Sequence, residues 1–133
     1  MKAFFDHNIE PFIARSIDTV VAPRGDRAVA KIDLFAPDTA DAEWLSHLGR
    51  ERGWVIFTYD RRILRNPVER HAFYDSGLTA FFFRPGVQKL NAVQRAATVL
   101  WHWDQLSALT ALQSRGAYWL PLNRNARFEQ IRV

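Results

Sequence analysis

The chain has 133 residues, which fits one compact domain, expected to span residues 1–133. Apolar residues make up 48% and charged residues 24%, a balance that excludes a disordered chain, and the absence of cysteine excludes a disulfide scaffold, a thiolate zinc site and a cysteine nucleophile. Charge is unevenly placed: residues 1–49 are net −3, residues 50–70 net +3 and residues 71–133 net +4, a split that points to an acidic pocket beside a basic surface.

Lys2–Phe5 reads as a first strand ending at Asp6. Asn8 is placed to cap the following helix, in which Pro11 sits in the first turn and Phe12, Ile13 and Ile17 recur at helical spacing. After the turn Pro23–Asp26, the alternating segment Ala28–Phe35 reads as a second strand stopped by Pro37. Asp38 or Thr39 caps a helix over about residues 40–52, with Leu45 and Leu48 inward and Gly53 as its stop. Trp54–Thr58 is the wholly apolar type of strand that is buried on both faces, and Asp60 follows it. Residues 61–75 are basic and partly helical, interrupted at Pro67. Thr79–Phe83 is a second buried strand. Asn91 with Gln94 opens a long helix to about residue 114, ended by Gly116; Tyr118–Leu122 is a late strand and Phe128–Val133 a further one. No apolar run reaches membrane-spanning length, and charge arrives too early for a signal peptide, so a cytoplasmic protein is expected. Strands alternating with helices give an α/β fold, a three-layer α/β/α arrangement around a mostly parallel sheet.

Ligands of open α/β sheets bind beyond the carboxyl ends of the strands. Asp6 and Asp60 fall there, and Asp41 and Glu43 sit in the first turn of the intervening helix. Asp41 lies near the edge of the buried face, whereas Glu43 projects about 160° away, so Asp41 is preferred and Glu43 held second. Three carboxylates on one spot repel unless a cation sits among them, and oxygen donors of this kind suit Mg²⁺ or Mn²⁺. Such an ion activates water and neutralises a phosphoryl oxygen. The competing reading is that an Asp after a strand is a common turn residue.

Phe5–Ile9 (FDHNI), Asp41–Leu45 (DAEWL) and Thr58–Arg62 (TYDRR), followed by Arg65–Arg70 and Ser76–Phe83, resemble the pattern of PIN-like domains, especially the short toxin-type members related to VapC ribonucleases. The resemblance covers about residues 2–85. It implies a Mg²⁺- or Mn²⁺-dependent endoribonuclease that cleaves RNA, a toxin held inactive by a cognate antitoxin protein. By position, Asp6 would be the first metal ligand, Asp41 the helix acid and Asp60 the third carboxylate, with Asn8 the polar residue beside the metal. One departure stands out: many PIN domains carry a fourth acid soon after the third, and here Arg61 and Arg62 occupy that stretch, lowering the charge available to a metal.

Arg61, Arg62, Arg65 and Asn66 follow a pocket acid directly and could grip phosphates through forked hydrogen bonds; the alternative is an exposed helix ion-paired through Glu69. His7 could serve as acid or base, or be structural. Val93, Ala97, Leu100, Trp101 and Trp103 make the long helix apolar over a broad arc. Two Trp one position apart lie about 200° apart and cannot both point inward, so one covers a second surface, for a homodimer or an antitoxin. The basic tail 123–133 would pair as an edge strand or contact RNA. Two other functions compete: a PIN-like module that binds nucleic acid or a partner without cutting, and a phospho-acceptor domain. The latter wants paired acids after the first strand and a late Lys, and Lys89 is the last in the chain.

Overall fold

The computed structural model describes residues 1–112, 115–125 and 127–132. Its strands are β1 (Lys2–Phe5), β2 (Arg27–Ala30), β3 (Trp54–Thr58), β4 (Thr79–Phe83), β5 (Gly116–Leu120) and β6 (Gln130–Ile131). Its helices are α1 (Pro11–Val21), α2 (Asp41–Glu51), α3 (Arg62–Arg65), α4 (Pro67–Ser76), α5 (Pro85–Gln88) and α6 (Ala92–Leu112). The strands form one sheet in the order β2-β1-β3-β4-β5-β6, parallel throughout except for antiparallel β6. The α/β reading is borne out.

Each strand supplies alternate side chains to two separate cores. Phe5, Phe57, Phe81 and Phe83 face α1 and α6, meeting Ile13, Ile17, Val99, Trp103 and Leu106. Phe4, Ile56, Ala80 and Phe82 face α2, α3 and α4, meeting Trp44, Leu45, Leu48, Ile63, Leu64 and Phe73. Every residue of β3 and β4 is buried, as two covered faces require. The chain reverses its direction across the sheet at β1, which lies between β2 and β3, so a topological switch point opens at the carboxyl ends of β1 and β3.

Several boundaries differ from the sequence expectation. The second strand stops at Ala30 instead of reaching Phe35: Lys31–Asp33 form a 3₁₀ turn, and Ile32 and Leu34 are exposed, so their alternation did not mark a buried face. α1 is entered through Glu10 with Pro11 in its first turn and no side-chain cap, and Asn8 is used elsewhere. Likewise α2 follows Ala40 without a cap from Asp38 or Thr39, and leaves through Arg52 and Gly53, both at positive φ. Gly116 begins β5 instead of merely ending the helix, so the strand starts two residues before Tyr118. Residues 113 and 114, the expected end of the long helix, and 126 and 133 of the tail lie outside the described residues. The Asn91–Gln94 reciprocal cap forms as expected, with Asn91 Oδ1 accepting from the Gln94 N–H at 2.9 Å. Trp103 is buried and Trp101 exposed, the split that their spacing demands.

α2 packs on α4 at unusually short range. A Cβ added to Gly49 would stand 2.9 Å from Ser76 Cβ and 3.0 Å from its backbone. Gly49→Ala gains about 0.5–1 kcal/mol of helix propensity but meets an overpacking cost of about 1–3 kcal/mol, so a net loss of about 1 kcal/mol is expected in urea unfolding. A raised midpoint would contradict the close approach.

Candidate functional site: an acidic edge with built-in counterions

The register of the sheet places one row of residues across its carboxyl edge. Thr58 pairs with Phe82 and Phe82 with Trp119, while Asp6 and Lys31 each follow directly on the paired residues Phe5 and Ala30. By alternation all five point to the face covered by α2 and α4. The row therefore runs Lys31, Asp6, Thr58, Phe82, Trp119.

Asp6 is 1% exposed and fully engaged. Its backbone N–H continues the ladder by donating to the Phe57 carbonyl. Its Oδ1 accepts from the His7 N–H at 2.7 Å and lies 2.9 Å from His7 Nδ1, and its Oδ2 accepts from Thr58 Oγ1 at 3.0 Å. The Thr58 hydroxyl in turn accepts from the Asp60 N–H at 3.0 Å and from Asn8 Nδ2 at 3.4 Å. Asn8 Oδ1 accepts from the Tyr59 N–H at 3.3 Å, so Asn8 braces the β1 and β3 exits against each other.

Asp41 reaches the same face from the first turn of α2. Its Oδ1 accepts from Trp44 Nε1 at 2.8 Å and lies 4.0 Å from Lys31 Nζ. Glu43 is exposed on the far side of that helix, as its angle predicts. Asp60 is clamped by Arg62, whose N–H donates to Oδ1 at 2.9 Å and whose Nε donates to Oδ2 at 2.7 Å. Arg61 lies over the Trp119 ring and Arg65 is exposed. Asn66 is a helix cap: its side chain accepts from the Val68 and Glu69 N–H groups at 3.0 and 3.2 Å.

That cap sets the position of a residue the sequence reading took only as an ion-pair partner. Glu69, in the first turn of α4, faces Asp41 and Asp60. Burial pushes its carboxyl above the usual range, the neighbouring Asp41 and Asp60 carboxylates add to the rise, and Arg62 pulls the other way. Its Oε2 is buried and meets no donor among the described residues. The signal for it was present: Asn66-Pro67 is a helix start, and the third residue after the cap folds back beside it. Lys31 was also missed, because the extended strand reading hid it mid-strand. Lys31 is 6% exposed, and its ammonium sits 5.8 Å from the centre of the Trp44 ring.

Four carboxylates, Asp6, Asp41, Asp60 and Glu69, thus surround one edge with two cations, Lys31 and Arg62, inserted among them. Among the described residues no three acidic or imidazole side chains converge closely enough to hold a metal ion as they stand. The donors still fit a hard divalent cation in kind: all are carboxylate oxygens, and the orphaned Glu69 Oε2 is a buried acceptor with capacity to spare. Behind the edge, Arg95 of α6 donates to Glu10 and to the Tyr59 hydroxyl, fixing the loops after β1 and β3 to that helix. The Arg95 bond holds Glu10 below the usual carboxylate range, and burial pushes Tyr59 up. An open groove of about 1110 Å³ lies at the opposite edge of the sheet, between Arg50, Trp54, Leu78 and Arg115, away from these acids.

A family model described as a PIN-like domain matches residues 1–85. No curated protein and no solved structure matches the chain.

Because Glu69 ionises less readily when folded, its titration removes stability as pH rises from 4.5, its ordinary value, through the raised folded value, and costs nothing below 4.5. Glu69→Gln is expected to raise the metal-free thermal midpoint at pH 7 and to match the parent chain at pH 4. A lowered midpoint at pH 7 would refute this reading of the site.

Proposed function

Since the chain belongs to the PIN-like domain family, we propose that it is a metal-dependent nuclease cleaving RNA phosphodiester bonds at this acidic edge. The observation that carries the reading is the approach of Glu69, with its unpartnered oxygen, to Asp41 and Asp60 beside the Thr58-linked Asp6. Glu69 supplies a fourth acid in place of the one missing directly after Asp60. Asp6, Asp41, Asp60 and Glu69 would hold Mg²⁺ or Mn²⁺, with Asn8 at its margin. Such an ion supplies an activated water and charge neutralisation at the phosphoryl group. The chain's own part is positional: Thr58 orients Asp6, Trp44 orients Asp41, and Arg62 neutralises Asp60 until other charges arrive. Arg61 and Arg65 would carry the phosphates of the substrate. The resemblance to toxin-type members supports a toxin held by a cognate antitoxin, and exposed Trp101 on α6 supports that helix as its docking surface or as a homodimer face.

A non-cleaving module that binds nucleic acid or a partner is the second reading, and one observation favours it. Arg62 occupies both oxygens of Asp60 and Lys31 attends Asp41, so the acids are partly neutralised without a metal. Cleavage assays and calorimetric metal titration separate the two. On the nuclease reading, Mg²⁺ or Mn²⁺ binds measurably, chelation stops RNA cleavage, and Asp6→Asn or Asp60→Asn lowers it at least about a hundredfold with the circular dichroism unchanged. A folded parent chain that binds neither ion and cuts no RNA would leave the binding module standing.

A further inference from the structure

We propose that Arg61, Trp119 and Arg84 form a ledge that holds a single-stranded nucleic acid segment next to the acidic pocket. The inference rests on the reading of that pocket as a nucleic-acid site and names the surface along which the strand continues.

The ledge is assembled from three strand ends. Arg61 follows Asp60 beyond β3, Arg84 follows directly on β4, and Trp119 is the penultimate residue of β5. The guanidinium carbons of Arg61 and Arg84 lie 5.2 and 5.1 Å from the centre of the Trp119 ring. Trp119 is half-buried and packed against the core under α2 and α4, so its ring has a fixed seat. It stands two strands from Thr58 in register, about 10 Å away at ~4.8 Å per strand. Ledge and acids therefore share one face of one edge.

The chemistry selects the ligand. The described residues give Arg61 no carboxylate partner; its charge rests on the indole alone, leaving forked donors free for a phosphate. Arg84 is held by Glu129 at 2.9 Å, an exposed carboxylate that a phosphate can replace. A basic rim with an aromatic plate is the arrangement by which proteins hold unpaired bases and their backbone, whereas a duplex keeps its base faces stacked and out of reach.

The test is binding of labelled ten-nucleotide uridine-rich RNA and its DNA counterpart, measured in chelator so that no cleavage intervenes. Arg61→Gln and Arg84→Gln together should weaken binding about tenfold and reduce the steepness of the salt dependence by roughly 0.7 per lost phosphate contact. Trp119→Phe, which keeps an aromatic plate and the core packing, should bind more weakly but with the parent salt slope. Glu129→Gln should tighten binding, because it frees Arg84. Parent-like affinity and slope in the double arginine variant would overturn the ledge, as would equal binding of a matched duplex. The two readings fail separately: loss of binding by the arginine variants of a chain that cuts nothing retains the ledge and removes the nuclease. A chain that cuts RNA equally well without these arginines does the reverse.

Discussion

Like charge at the carboxyl edge of the sheet is the constraint from which the rest of this structure follows. Four carboxylates from four different segments cannot share a partly dry corner without opposite charge or hydrogen-bond donors close at hand. The chain supplies both from its own sequence. Lys31 comes in from the turn after β2, Arg62 from the start of α3, and Thr58, Trp44 and His7 provide neutral donors. The residue just past β2 is part of that provision: Lys31 follows Ala30 directly and so stands on the row beside Asp6. Internal cations keep the folded chain intact before any ligand arrives, and they also set what a ligand must displace.

Position at this edge is enforced from both layers. On one side Asn66 caps α4, which fixes the turn carrying Glu69, and the close passage of Gly49 past Ser76 holds α4 to α2, which carries Asp41. On the other side Arg95 ties Glu10 and Tyr59 to α6, so the loops bearing Asn8 and Asp60 hang from a helix outside the site.

The layer order, the parallel sheet and the buried strands β3 and β4 were legible in the sequence, because uniformly apolar runs such as WVIFT and TAFFF admit few other fates. The positions of Asp6, Asp41 and Asp60 at one edge followed from strand ends and helix turns, and that only one Trp of the pair could point inward followed from helical angle alone. Two kinds of feature were not legible. Counterions arrive through space: nothing local to Lys31 reports that it meets Asp41. Side chains with two uses also mislead, since Asn8 and Asn66 read as a cap and a phosphate contact but serve as a loop brace and a cap.

The segment that carries the family pattern ends where β4 does, and this has a consequence for how the chain comes to be folded. Phe57, Phe81 and Phe83 are sealed by Val99, Trp103 and Leu106 of α6, and the outer edge of β4 is taken up by β5. Both covers come from residues past 85. A chain emerging from synthesis, or one trimmed to the matched segment, would present a bare aromatic sheet face beside an unpaired strand edge, the combination most prone to intermolecular association. The C-terminal third therefore acts as a lid over the finished sheet, and the fold becomes safe in solution only when that lid has closed.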